Sequence, residues 1–274
     1  MQQPQDLAGW VSFLTAAEIP VLRHTARELE RLRADEDHLN ARSIAHLVTS
    51  DPLMTVKLLR YLQEHKGRLQ SHELVQVEQA IMMMGIGTFF REIPAAPVVE
   101  DLLHDHLDAL VHLLHTVRRS QRSAQYAFDW ALMLHDLHAE EVRVTSLLTY
   151  LGEMLMWCFN PGPMLNIRHR QDADKTLRSA AAQGQVLGFR GIELQRALAM
   201  EWHLPALLLN LTDPEQEKTV RVQNVMLAVN LARHSANGWD DAALPDDYRD
   251  IAALLRMEPE KVKAMVGATP AVTP

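Results

Sequence analysis

The histidines are the residues whose type and spacing could most directly support metal chemistry. His112 and His115 are three residues apart, as are His135 and His138. On a helix this spacing can place two imidazoles on one face, where they could share a metal ion. The same spacing is common on polar helix surfaces, so both interpretations stay open.

The dipeptide His135-Asp136 is a second signal for metal chemistry. Together with His112 or His115 it could form a metal centre whose bound water attacks a phosphate ester. Against this, the residues from 137 to 140 have the pattern of a helix end and turn, whereas a buried metal site needs the middle of a helix.

A third candidate lies in the apolar run from Val142 to Phe159, where leucine or methionine recurs at nearly every turn. This pattern predicts one helix that is buried on most sides. Helical domains usually place metal ligands on such helices. Its middle positions carry Thr149 and Tyr150, a hydroxyl and a phenol, and neither is a ready ligand for a divalent metal.

The remaining reactive groups have simpler explanations. Cys158 lies in the apolar run, where burial should raise its pKa and make the thiol inert. The Gly85–Gly87 pair has no preceding strand, which argues against a phosphate-binding loop. The most basic stretch, Val117–Arg122, is either a solvated helix face or a contact for an anion or partner.

Composition restricts the class of protein. The chain has 274 residues, 47% of them hydrophobic and 23% charged, as expected for a globular protein. A net charge of −8 argues against a dedicated nucleic-acid binder. We expect a cytoplasmic protein, because no secretory leader or membrane span is recognisable and a single cysteine fits a reducing compartment.

Helices must position these residues, since strand and hairpin signals are nearly absent. Asn40 and the Ser50-Asp51-Pro52 sequence are helix-start signals, and the Pro94–Pro97 segment is the clearest internal break. The predicted helices are those starting at Pro20, Asn40 and Pro52, then Val75–Gly85, Val98–Arg122, Ser123–Leu137, Ala139–Phe159, Ile167–Gly184, a pair of helices over Ile192–Leu211 broken near Pro205, Val220–Ala236 and Asp246–Val266.

Several of these segments carry the motifs of one family, in the same order. Ile19-Pro20 matches its Leu-Pro opening, and Ser50–Arg60 matches Ser-Asp-Pro-x-Leu-Thr-x-x-Leu-Leu-Arg with small differences. Val75–Gly85 matches Ile-x-Ser-Val-x-x-Ala-Ile-x-x-Leu-Gly. Together they resemble the HDOD domain, the non-catalytic relative of the HD and HD-GYP phosphohydrolases.

The later half resembles the same family between the break and about residue 235. Ser120-x-x-x-Ala124 is similar to the His-Ser-x-x-x-Ala helix, with Arg119 in place of the histidine. Leu147–Leu155 is similar to the His-Asp helix, with Thr149-Tyr150 in place of the pair. Trp202–Pro205 matches the Trp-x-Leu-Pro motif. The histidines that often follow it are missing, and Gln63 replaces an earlier asparagine.

The resemblance implies an all-α, HD-domain-like multi-helix bundle of the HDOD type with two helical lobes. Residues 1–17 would form a helical extension, 18–96 the N-terminal lobe, 97–267 the HD-like C-terminal lobe and 268–274 a flexible tail.

It also implies that Arg119, Thr149 and Tyr150 occupy vestigial metal-site positions, and therefore no catalytic residue, bound metal or other cofactor. We expect Arg119 either to pair with Glu153, one turn beyond Thr149, or to point to solvent with its basic neighbours. In the first case the ion pair would hold the emptied site shut and leave no room for a substrate.

The function implied is a non-enzymatic bacterial signalling module that binds another signalling protein, with no nucleic acid or membrane as partner and a homodimer left open. One alternative is a phosphohydrolase of nucleotides or cyclic dinucleotides that uses His135-Asp136. Another is a small-ligand sensor that uses the old catalytic cavity. The amphipathic segment with Trp10, Phe13 and Leu14 would either bind the partner or pack onto the core.

Overall fold

The computed structural model describes residues 4–35, 38–65, 76–174 and 176–268, and these form an all-α, multi-helix fold. The helices, in chain order, are α1 (Leu7–Ala16), α2 (Arg23–Ala34), α3 (Ala41–Ser50), α4 (Pro52–Glu64), α5 (Val77–Met84), α6 (Ile86–Glu92), α7 (Val99–Leu102), α8 (Leu107–Met133), α9 (Ala139–Leu148), α10 (Leu151–Phe159), α11 (Pro161–Ala173), α12 (Ser179–Leu187), α13 (Gly191–Glu201), α14 (Ala206–Asn210), α15 (Val220–His234), α16 (Leu244–Leu255) and α17 (Pro259–Met265). Within these ranges, no helix is both long enough and apolar enough to cross a membrane.

The buried apolar side chains form three clusters. One lies within residues 21–93, and a second joins α1 and α4 to helices α7, α8 and α10–α14. The third joins α8 and α9 to α15, α16 and α17. Helix α8 contributes Leu113 and Val117 to the second cluster and Ala127 and Trp130 to the third, so this one helix connects the two. The proposed lobe boundaries stay a prediction.

The strongest helix-start signals act as expected. Asn40 Oδ1 accepts the Ser43 N–H at 2.9 Å and caps α3. Asp51 caps α4, where its Oδ1 accepts the N–H groups of Leu53 and Met54 at 2.9 and 3.1 Å. Its Oδ2 accepts the Leu22 N–H at 2.9 Å. Since Asp51 is fully buried, one carboxylate holds the starts of α2 and α4 together.

Other predicted helix boundaries were wrong. Pro20 does not open a helix, because Val21 pairs with Val98 in an isolated β-bridge and α2 starts at Arg23. The predicted boundary between one helix ending at Arg122 and another starting at Ser123 is absent: α8 runs unbroken for 27 residues, and the break falls between α7 and α8. The predicted helix over Ile167–Gly184 is two helices, α11 and α12.

The predicted helix over Ala139–Phe159 is also two helices, because α9 ends at Leu148 and α10 begins at Leu151. The break falls on Thr149 and Tyr150, which carry none of the proline or glycine signals that normally mark a helix end. Of the other predicted features, Val75 and residues 269–274 of the tail lie outside the described part of the chain.

The N-terminal helix packs onto the core. Trp10 and Leu14 are 2% and 1% exposed. Trp202 Nε1 donates to Thr15 Oγ1 at 2.9 Å, and Phe13 makes an edge-to-face contact with Phe159. The apolar side of α1 is therefore covered, and the idea that Trp10 and Leu14 bind a partner is wrong.

We predict that Asp51→Asn lowers the free energy of unfolding. The asparagine keeps one acceptor oxygen and turns an NH₂ group toward backbone N–H donors, and a buried unsatisfied group costs about 1–3 kcal/mol. Urea unfolding would measure the change. The control is Asp6→Asn, at the exposed cap of α1, where one bond to the Gly9 N–H is made. Asparagine caps as well as aspartate there, so the change should stay within about 0.5 kcal/mol. Equal effects at both positions would contradict the role given to Asp51.

Candidate functional site

The candidate site is a cavity of about 750 Å³ between helices α8, α10, α11, α13 and α15. This volume is typical of small-molecule sites, which span about 300–1,000 Å³. Arg119, Thr149 and Tyr150, the three predicted vestigial positions, all line it. The structure thus brings these three residues together, although 30 positions separate Arg119 from Thr149.

The break between α9 and α10 is built by a side chain from α13. In an unbroken helix the Gly152 N–H would donate to the Leu148 carbonyl. Here the Gln195 amide stands between them: Oε1 accepts the Gly152 N–H at 2.7 Å, and Nε2 donates to Leu148 O at 2.9 Å. Insertion of a side chain into the hydrogen-bond ladder is a known cause of a helix break.

Two sequence features allow this insertion. A Cβ atom at residue 152 would lie only 3.3 Å from the Gln195 backbone nitrogen, so Gly152 permits the close approach of α13. On the other side, the Ser120 hydroxyl of α8 donates to the Leu147 carbonyl. The final carbonyls of α9 are thus satisfied by side chains from two neighbouring helices.

Arg119 and Glu153 are in contact on one wall of the cavity. Arg119 Nη2 lies 3.4 Å from Glu153 Oε1 and donates to Thr116 Oγ1 at 3.2 Å. The guanidinium also lies over the Tyr150 ring, 5.2 Å from its centroid. Both charged side chains are 28% exposed, so they are only partly removed from water. The cavity remains open beside this pair, so the expectation that the ion pair leaves no room for a ligand is wrong.

The cavity wall is strongly cationic. Within the described ranges, six arginines line it, together with Glu153 as the one carboxylate. They come from four helices and are Arg118, Arg119, Arg122, Arg168, Arg196 and Arg233. The first three belong to the basic stretch noted in the sequence. The other three were missed, because nothing in the local sequence shows that distant arginines will face one cavity.

His112 and His115 also line the cavity, but they do not form a metal centre with His135 and Asp136. His112 stacks on Trp157, with ring centroids 5.1 Å apart, and burial lowers its pKa. His135 is exposed beyond the end of α8. In the part of the chain that is described, no three His, Cys, Asp or Glu side chains could hold a metal ion.

Asp136 is used in a structural ion pair instead. Arg221 Nε and Nη2 donate to its two carboxylate oxygens, both at 2.8 Å. Burial acts to raise the pKa of Asp136, but the bonds from Arg221 and the His138 N–H outweigh it and the pKa is lowered. His138 lies in a turn immediately before α9, which begins at Ala139.

Tyr150 and Cys158, near the site, both have raised pKa values. Burial raises the pKa of Tyr150, although the Arg119 charge acts in the opposite direction. Burial also raises the pKa of the Cys158 thiol, which confirms its predicted inert character. Thr149 Oγ1 donates to the Thr145 carbonyl at 3.0 Å.

We predict that Gln195→Leu lowers the free energy of unfolding by about 2 kcal/mol or more. The leucine can neither accept the Gly152 N–H nor donate to the Leu148 carbonyl, and each unsatisfied buried group costs about 1–3 kcal/mol. Urea unfolding is the measurement. Gln223→Leu, on the exposed face of α15, is the control and should change the free energy by less than about 0.5 kcal/mol. Matching midpoints for the two variants would rule out the Gln195 insertion as a structural requirement.

Comparison with known proteins places this geometry in a family. The model of the HDOD domain matches residues 19–217. No curated protein matches the chain. The MmoQ response regulator from Methylococcus capsulatus is similar in structure, with a TM-score of 0.68, 16% identity, and coverage of 92% of this chain and 98% of that one.

A virulence factor from Campylobacter jejuni is also similar, with a TM-score of 0.66, 17% identity, and coverage of 98% of this chain and 94% of that one. At these identities the likeness shows the fold alone. The family match is the stronger finding, because it extends over more than half of the chain and includes the residues that build the helix break and the Arg119 wall. The chain belongs to the HDOD domain family.

Proposed function

We propose that this protein is a non-enzymatic regulatory module of bacterial signal transduction that acts by binding another signalling protein. The observation that carries the proposal is Arg119 in the cavity, paired with Glu153 at the position where the related phosphohydrolases have a metal-binding histidine. A guanidinium stays protonated in proteins, so it repels the dication that such an enzyme needs.

The two other vestigial positions support the same proposal. Tyr150 is a neutral phenol with a raised pKa, and the Thr149 hydroxyl is used by the Thr145 carbonyl. Neither side chain offers the imidazole or carboxylate that binds a catalytic divalent metal. A regulatory role is in keeping with the fold shared with the MmoQ response regulator. We place the protein in the cytoplasm, since its single cysteine is a free thiol.

The proposal predicts that the metal site can be restored. We expect the triple variant Arg119→His, Thr149→His, Tyr150→Asp to bind about one divalent metal ion per chain, because the substitutions supply three ligands on one cavity wall. The wild-type chain should bind none at this position. Elemental analysis of purified protein, after equilibration with Mn²⁺ and removal of free ion, would measure the difference.

The control for this experiment is His135→Ala, which removes the histidine of the His135-Asp136 dipeptide outside the cavity. Its metal content and phosphodiesterase activity should equal those of the wild type. Metal-dependent hydrolysis by the wild type that is lost in His135→Ala would refute the proposal in favour of the phosphohydrolase alternative.

Partner binding is tested by affinity capture from the native cell extract, followed by titration of the purified partner. We expect one protein to bind wild type and His135→Ala with equal affinity and defined stoichiometry. Failure to obtain such a protein, when the chain is folded and present in excess, would count against a protein-binding role.

The small-ligand sensor is the second candidate function. It is favoured by the open cavity of about 750 Å³ that remains beside the Arg119–Glu153 pair. A sensor of this kind needs no chemistry at the site, and ligand binding could regulate the partner contact proposed above.

A further inference from the structure

We infer that the cavity binds a phosphorylated small molecule that carries at least two negative charges and a flat ring. Arginines from α8, α13 and α15 would bind the charged groups, and the Trp157 side of the cavity would bind the ring. This inference goes beyond the proposed function, because it depends on the charges and shape of the cavity and not on a vestigial metal site.

The first argument is the imbalance of charge. The chain as a whole carries a net charge of −8, yet the cavity gathers six arginines around one carboxylate. Like charges placed around one concave surface repel one another, and the low-dielectric walls strengthen the field. A bound anion would relieve this repulsion.

The second argument is that most of these arginines lack an acidic partner. Among the ion pairs between described residues, none involves Arg118, Arg122, Arg196 or Arg233. The contacts of these side chains are with neutral groups. Arg196 Nη1 donates to Thr212 Oγ1 at 2.9 Å, and Arg233 Nη2 donates to Asn230 Oδ1 at 3.2 Å. Such contacts orient a guanidinium without neutralising its charge.

The third argument is the type of cation. Among the described residues that line the cavity, every positively charged side chain apart from the histidines is an arginine and not a lysine. The planar guanidinium presents paired N–H donors that match the oxygens of a phosphate or carboxylate. Arg119 Nε is buried and has no hydrogen-bond partner, so one of these donors is unused.

The position of the arginines indicates more than one anionic group. Arg119 and Arg122 are one turn apart on α8, whereas Arg196 and Arg233 reach the cavity from α13 and α15. Guanidinium donors that reach one cavity from three helices can contact several anionic groups of one ligand, such as two linked phosphates or separate phosphates on one molecule.

The apolar part of the wall indicates a ring in the ligand. His112, which stacks on Trp157, and the side chains of Met164, Ile167 and Ile192 all line the cavity. Flat organic rings pack well on such surfaces, and a cavity of about 750 Å³ has room for a ring and two phosphates. A cavity of this volume favours a small molecule over an acidic polypeptide segment.

The test is isothermal titration calorimetry of the full chain in buffer freed of divalent metals. Four probes separate the contributions of charge and ring. Pyrophosphate has the charge alone, a nucleoside has the ring alone, and a nucleoside diphosphate has both. An oligoglutamate peptide represents an acidic polypeptide segment. We expect the nucleoside diphosphate to bind at least tenfold more tightly than pyrophosphate, and the nucleoside and the peptide not to bind at millimolar concentration.

The variants Arg196→Gln and Arg233→Gln should each weaken binding of the nucleoside diphosphate at least tenfold. Arg42→Gln is the matched control, because Arg42 is 84% exposed on α3, outside the cavity, and should leave the affinity unchanged. Glu153→Gln should strengthen binding, since it removes the one carboxylate of the wall. Thermal unfolding of each variant checks that it is folded, and the two arginine positions provide independent tests.

The inference is overturned if the wild type binds no phosphorylated probe, if Arg42→Gln weakens binding as much as the cavity variants, or if the peptide binds more tightly than the nucleoside diphosphate. Hydrolysis of the probe after metal is added would contradict the proposed function and leave the binding inference intact. The two proposals can therefore fail separately.

Discussion

The hydrogen bonds of the Gln195 amide to Gly152 and Leu148 are the interaction on which the geometry of the site depends. They replace one backbone hydrogen bond of the helix with two bonds to a side chain. Helix α9 therefore ends in the middle of the apolar run from Val142 to Phe159. Thr149 and Tyr150, the two residues at the break, both line the cavity. The Gln195 bonds also couple α13 to the wall formed by α8 and α10.

The surroundings of this interaction show why it is stable. Gln195 is 6% exposed. Its amide oxygen accepts a hydrogen bond from the Gly152 N–H, and its amide nitrogen donates one to the Leu148 carbonyl. Ser120 satisfies the neighbouring carbonyl at Leu147, so the last two carbonyls of α9 are both paired. The cost of breaking the helix is thus offset by side chains that also join α8, α9 and α13. The motif serine and glycine of the family are used here as packing residues, independently of any metal.

The arginines of the cavity differ from those of the rest of the surface in how often they have acidic partners. Elsewhere most arginines have acidic partners, as Arg221 has in Asp136 and Arg190 has in Glu193. In the cavity, Arg119 shares Glu153 with Thr116 and Trp157. Arg168 lies 3.8 Å from Asp172, whereas Arg196 and Arg233 donate to neutral groups. An ion pair that is 28% exposed on both sides contributes little to folding stability, because solvent screens it. The arrangement is better explained by electrostatic recognition than by stability.

The sequence by itself determined the helical class, the capping roles of Asn40 and Asp51, and the order of motifs that identifies the family. These are properties of local spacing and capping chemistry, which a chain carries wherever it folds. Arg119, Thr149 and Tyr150 could be assigned to one site because the family motifs align them. Only the tertiary structure decided the break after Leu148, since the residue that makes it lies 43 positions from Gly152. It also decided that Arg168, Arg196 and Arg233 join the α8 arginines around an open cavity, because which faces of distant helices meet depends on packing and leaves no trace in local sequence.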